Sequence, residues 1–194
     1  ARKPTATKHQ IREDLGIKSN EKLIFLAMGG AKYFSSIAKL AEKITKEHPK
    51  IKFLLLPRKR GEISLFRGLK GFIVPNEITF ETQNYVLASD VVITKCGFST
   101  IAEAIKCKTN IISINLPNHP EVTETEILLK NMGIIKNSIK FSNFVNGEKI
   151  KNELYKKIVS EIDNKESLKL MGKIRTNGAE QAANIYLRIL ENER

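Results

Sequence analysis

Residues 90–115 read DVVITKCGFSTIAEAIKCKTNIISIN. The first stretch, Asp90–Thr94, is rich in β-branched residues and reads as a buried strand. A glycine turn at Gly97 follows, and residues 99–106 have a Ser/Thr start and helical composition. Asn110–Asn115 is a second apolar run of strand length. Strand, turn, helix and strand within 26 residues make a βαβ unit, whose two strands must lie parallel in one sheet.

The same alternation extends outward. Lys22–Met28 and Ile51–Leu56 read as strands around an amphipathic helix at 33–47. Residues 63–69 read as a short helix, Phe72–Val74 begins a third extended piece, and residues 81–88 are helical. Beyond the central unit, residues 121–132 predict a helix and Gly133–Lys136 a short strand. Helices are expected at 146–160, 165–173 and 177–191. A lead-in helix spans 5–16, ending at Gly16. The expectation is an α/β fold: a Rossmann-like open parallel sheet of about six strands, helices on both faces, and extra C-terminal helices. We read 1–194 as one domain, with 1–20 as a lead-in segment and 146–194 as C-terminal helices.

Composition bounds the rest. The 194 residues are 41% hydrophobic, enough for a core without staples. The net charge of +12 invites a polyanionic partner. Its distribution argues otherwise: residues 1–70 carry +11, residues 71–135 carry −3 and residues 136–194 carry +4. Lysines at 39, 43, 46 and 50 fall at helix-surface spacing, so most of the charge reads as solvated surface. Aromatics are few and not interleaved with cations, so nucleic acid is not an expected partner. Peripheral contact with an anionic membrane remains an alternative use of the basic surface. No apolar run spans a bilayer, and Ala1-Arg2-Lys3-Pro4 is no signal peptide. Cys96 and Cys107 form no metal-ligand spacing and suit a reducing cytoplasm. No metal site and no cofactor is expected.

In an open parallel sheet, ligands sit beyond the carboxyl ends of the strands. Four segments there can carry chemistry. Gly29-Gly30 follows the first strand, where a glycine pair permits close backbone approach; it completes neither a G-x-G-x-x-G nor a P-loop pattern. The segment Lys95–Glu103 joins a cation, a glycine turn, two hydroxyls (Ser99 and Thr100) and a helix N-terminus, a set that suits a diphosphate. Glu103, one turn on, has the acceptors for a ribose diol. Two further segments are Pro57–Arg60, with Arg58, and Asn118–Glu121, with His119.

The stretch DVVITKCGFSTIAE (90–103) resembles the nucleotide-binding segment of GT-B glycosyltransferases. In the UDP-glucosyltransferase branch it often reads H-C-G-W-N-S-T-x-E, and the peptidoglycan-forming N-acetylglucosaminyltransferase has a similar stretch. Downstream, NLPNHPEVTETEILLKNMG resembles that family's P-x-x-H-x-[DE]-Q-x-x-N-A…G pattern. The resemblance implies the C-terminal, donor-binding half of a two-domain, metal-independent enzyme that takes a UDP-sugar. Its partner would be a missing N-terminal acceptor domain or a separate subunit, which fits a chain without an initiator Met. It implies that Lys95 meets the donor phosphate and that Gly97, Ser99 and Thr100 hold the diphosphate. Glu103 would bind the ribose, the backbone at Ile78 and Thr79 would bracket the base, and Glu121 would contact the sugar hydroxyls. Gly29 and Gly30 would match the glycine loop. No catalytic base is implied; His119 is the one local candidate for proton work. Val122, Thr125 and Glu126 depart from the pattern, which leaves the sugar unassigned. The alternatives are a non-catalytic nucleotide-sugar-binding subunit, or a hydrolase- or epimerase-like enzyme on the same fold.

Overall fold

In a computed structural model, the described residues are 1–28, 34–56, 66, 68–75, 81–115, 119–140 and 147–192. They contain six strands and eight helices. In chain order these are α1 (Lys8–Asp14), β1 (Lys22–Ala27), α2 (Phe34–Glu47), β2 (Ile51–Leu54), β3 (Phe72–Ile73), α3 (Thr82–Ala88) and β4 (Val91–Thr94). Then follow α4 (Phe98–Cys107), β5 (Asn110–Asn115), α5 (Pro120–Asn131), β6 (Asn137–Lys140), α6 (Gly147–Ile162), α7 (Lys165–Met171) and α8 (Gly178–Asn192).

The strands form one sheet in the order β3-β2-β1-β4-β5-β6, and every neighbouring pair is parallel. The order runs outward one way from β1 to β3 and the other way from β4 to β6. Between β1 and β4 the winding reverses, the place where open parallel sheets of this kind receive their ligands. Ala27 stands opposite Thr94 at that point.

Side-chain alternation along each strand feeds two cores. On one face Ile24, Leu26, Phe53, Ile93, Ile112 and Ile139 pack with Leu40 and Ile44 of α2 and with Ile150, Leu154 and Ile158 of α6. On the other face Leu23, Phe25, Val92 and Ile111 pack beneath α1, α3, α4, α5 and α7. The expected architecture is therefore the observed one. Lysines 39, 43, 46 and 50 are all exposed.

The expected strand at Gly133–Lys136 is corrected. Gly133 adopts φ +71° and closes α5, with its N–H and that of Ile134 returning to the carbonyls of Lys130 and Leu129. This C-terminal glycine turn buries Ile134 and Ile135 as loop residues. The edge strand begins only at Asn137, in a polar stretch whose single fully buried apolar residue is Ile139. The lead-in helix starts later than expected because Thr7 and Gln10 form a reciprocal capping box. The expected short helix at 63–69 falls largely outside the described residues.

The lead-in segment is tied to the rest of the fold by charge. Arg12 donates to the Ala88 carbonyl at 2.9 Å, to the Asp90 carboxylate at 3.1 Å and to the Glu21 carbonyl at 2.8 Å. Lys8 reaches Asp90 at 3.7 Å. Thr5 and Asn84 exchange two hydrogen bonds, N–H to Oδ1 at 2.9 Å and Nδ2 to Oγ1 at 2.7 Å. Part of the basic excess of residues 1–70 thus neutralises the acidic middle of the chain.

Ile93 is fully buried between the halves of the sheet. Ile93→Ala should cost about 2–5 kcal/mol, read as a lower urea midpoint with an unchanged slope. Val159→Ala, on an exposed helix position, should stay within about 0.5 kcal/mol. Equal shifts for the two would contradict this core.

Candidate functional site

The carboxyl end of β4 builds the site. Thr94 ends the strand, Lys95, Cys96 and Gly97 turn the chain, and α4 begins at Phe98. The turn is tight: Cys96 sits in the left-handed region at φ 60°, a conformation costly for a residue with a side chain. Gly97 is the N-cap, at φ −65° and ψ 137°, and no side chain caps the helix. Ser99 and Thr100 lie inside the first turn, as the helix with a Ser/Thr start expected over 99–106 requires. The result is an N-terminus with free amide donors and the positive end of a helix dipole, with the hydroxyl-bearing Ser99 and Thr100 in its first turn. Lys95 is half-buried beside it, Ser99 is exposed and Thr100 is half-buried. Phe98, the first residue of α4, is 64% exposed.

Glu103 lies one turn further along α4 and is only 3% exposed. Both of its oxygens are engaged. Oε1 accepts from Arg2 Nε at 2.9 Å and from Arg2 Nη2 at 2.7 Å, and Oε2 accepts from Thr82 Oγ1 at 3.0 Å. Arg2 also donates to Thr82 Oγ1 at 2.5 Å, so cation, hydroxyl and carboxylate form one network. Lys106 Nζ holds the Ala1 carbonyl at 2.9 Å beside it. Neither Arg2 nor Thr82 was legible as a partner of Glu103, because they lie 101 and 21 residues away along the chain.

The neighbouring strand contributes the second wall. β5 ends at Asn115, and His119 is the exposed N-cap of α5, with Pro120 opening the helix and Glu121 exposed in its first turn. The His119 carbonyl accepts from the backbone and the hydroxyl of Thr123, so its backbone is fixed while its side chain does not cap the helix. β4 and β5 are adjacent, so the segments 95–100 and 119–121 share one edge of the sheet. Gly29, Gly30, Arg58, Ile78 and Thr79 lie outside the described residues.

Glu126, where the resembling pattern carries Ala, is 2% exposed. It pairs with Lys130 one turn on and accepts from Asn115 Nδ2 at 3.2 Å. Thr125 returns its hydroxyl to the Glu121 carbonyl at 2.8 Å. Thr125 and Glu126 are thus accommodated by local polar partners, and Val122 by the apolar core. Burial, with Glu126 adding to it, pushes the Cys96 thiol up to about 12. Burial, with Glu103 adding, pushes Cys107 to about 11. Among the described residues no group of three or more His, Cys, Asp or Glu is placed to hold a metal ion, and no helix is long and apolar enough to cross a membrane.

No family model matches the chain. It is 26% identical over 129 residues to an uncharacterized glycosyltransferase of Methanopyrus kandleri, a match covering 64% of this chain and 36% of that relative. Its fold is similar to that of MurG of Acinetobacter baumannii, with a TM-score of 0.65 at 11% identity, covering 94% of this chain and 53% of that one. It is also similar to a UDP-GlcNAc 2-epimerase from Neisseria meningitidis in a structure bound to UDP-GlcNAc, with a TM-score of 0.59 at 14% identity, covering 95% and 48% of the two chains. The chain thus spans about a third to a half of the proteins it resembles.

With thiols held this high, neither cysteine should react with a thiol reagent near pH 8 in the folded protein. Both should react in urea. Rapid reaction of Cys96 without denaturant would contradict its buried, left-handed position.

The parallel sheet, its reversal between β1 and β4 and the helix after β4 together give this chain the fold of the C-terminal domains of GT-B glycosyltransferases.

Proposed function

We propose that this domain binds a nucleotide sugar, UDP-linked, as the donor half of a glycosyltransferase. The observation that carries the reading is the uncapped N-terminus of α4 at the reversal of the sheet, with Lys95 before it and Glu103 one turn inside. A diphosphate seated there meets several N–H donors already oriented by the helix, so little reorganisation is needed when it binds. Glu103 offers acceptors to a ribose diol. Glu121 and His119, exposed at the start of α5 on the adjacent wall, would meet the sugar.

In transfer, negative charge builds on the departing diphosphate as the glycosidic bond breaks. Lys95, the amides of residues 98–100 and the hydroxyls of Ser99 and Thr100 would stabilise that charge in place. No metal takes part in this scheme. The base that deprotonates the acceptor would come from a second domain or subunit, the portion of its relatives that this chain does not span. His119, exposed on this edge, is the candidate for proton transfer.

A second reading is epimerase-like chemistry on the same nucleotide sugar, favoured by the fold shared with the UDP-GlcNAc 2-epimerase. Both readings need the same nucleotide site and diverge only in the fate of the sugar. A third, a binding subunit without catalysis, keeps the site and drops the chemistry.

UDP at about 100 times its dissociation constant should stabilise the fold by about 2.7 kcal/mol. That amounts to a rise in Tm of roughly 5–10 °C for a domain of this size, with no dependence on added chelator. Glu103→Ala should abolish the rise, whereas NAD and single-stranded DNA should give none. An unchanged Tm with every nucleotide diphosphate tried would sink all three readings. Transfer of sugar to an acceptor on adding the amino-terminal half of a relative, with no change in sugar configuration in its absence, favours the first.

A further inference from the structure

We propose that Arg2 competes with the ribose of the incoming nucleotide for the Glu103 carboxylate, so that its side chain, held in place by residues 1–7, forms a plug that nucleotide binding must displace. The inference rests on the nucleotide site proposed above and adds a control to it.

The network around Glu103 is already complete. Oε1 takes two donors from Arg2 and Oε2 takes the Thr82 hydroxyl. A carboxylate that binds a vicinal diol needs acceptor directions facing the ribose, and here those directions end on a guanidinium. The carboxylate is 3% exposed, while the Arg2 side chain covering it is 47% exposed. The cover is therefore a group that water can receive at modest cost, lying over a group that water cannot reach.

The plug is also held from both sides. Lys106, on the outer turns of α4, grips the Ala1 carbonyl. Thr5 and Asn84 exchange their two hydrogen bonds across α3. Arg2 is thus delivered to Glu103 by a strap anchored on the two helices that bound the ribose position. The strap need not detach: rotation of the Arg2 side chain into solvent is enough to free Oε1, with Thr5 still in place.

Competition of this kind has a defined signature. Apparent affinity is the intrinsic affinity multiplied by the fraction of molecules in which the site is open. Weakening the plug should tighten any ligand that needs Glu103 and leave unaffected any ligand that does not. UDP and 2′,3′-dideoxyuridine 5′-diphosphate form that pair, since they differ only in the diol.

The test is calorimetric titration of both ligands into the native chain and into Arg2→Gln, with Arg2→Ala as a second variant and circular dichroism as the check of folding. UDP should bind Arg2→Gln about tenfold more tightly than the native chain, within the usual range of coupled equilibria. The dideoxy ligand should bind the two within twofold of each other. In the native chain, the Nε–H resonance of Arg2 should be protected from solvent exchange without ligand and should lose that protection at saturating UDP. This readout needs no variant. UDP affinity unchanged or lowered in both variants, with binding to the native chain still lost in Glu103→Ala, would overturn the plug and leave the nucleotide site standing. Failure of UDP to bind the native chain and both variants would overturn the nucleotide site, and the plug with it.

Discussion

Parallel pairing of β1 with β4 is the constraint from which the rest follows. It sets Ala27 opposite Thr94 and sends successive strands outward in two directions. A sheet wound this way must leave a gap at the carboxyl ends of its two central strands, because the connections on either side cross to opposite faces. Lys95, Cys96 and Gly97 turn the chain at that end of β4, with Cys96 left-handed, and α4 begins at once at Phe98. Two cores hold the arrangement, one under α2 and α6 and the other under α1, α3, α4, α5 and α7. The site is thus built on rigid elements, and its chemistry comes from what the helix N-terminus and a few side chains present there.

Charge plays a different part from the one that net charge suggests. The first seventy residues hold an excess of cations, and the middle of the chain holds an excess of anions. Arg2 meets Glu103, and Lys8 and Arg12 meet Asp90. On the helices, Lys46 pairs with Glu42 and Lys157 with Glu153 one turn apart. Exposed pairs of this kind contribute little to stability. The contacts of Arg2 and Arg12 differ because each reaches a shielded carboxylate and further hydrogen-bond partners. The basic N-terminal third therefore docks, in part, onto the acidic segment of its own chain.

Most of the fold was legible because its signals are local. Apolar runs such as DVVIT and NIISIN, the glycine turn after the first and the intervening amphipathic helix fix strand, turn and helix within a short stretch. The reading failed where local pattern and tertiary packing diverge. Ile134 and Ile135 look like a strand but are buried loop residues behind the left-handed Gly133, and the true edge strand is the polar Asn137–Lys140. The location of Glu103 on the helix after β4 could be read from spacing. Its partners could not, since nothing near Glu103 in sequence announces an arginine 101 residues away. Glu126 was a departure from a pattern, and only the fold supplies the Asn115 and Lys130 contacts that let a carboxylate be buried there.

The central claim is that a nucleoside diphosphate seats against the N-terminus of α4 at the reversal of the sheet. The most direct measurement is a titration of isotopically labelled protein with UDP, followed by amide chemical shifts assigned along the chain. The account predicts that the largest changes fall on the amides of Gly97–Ile101, with a second group at Thr82 and Glu103. Changes confined to the basic surface around residues 39–50, or spread evenly over the chain, would contradict it.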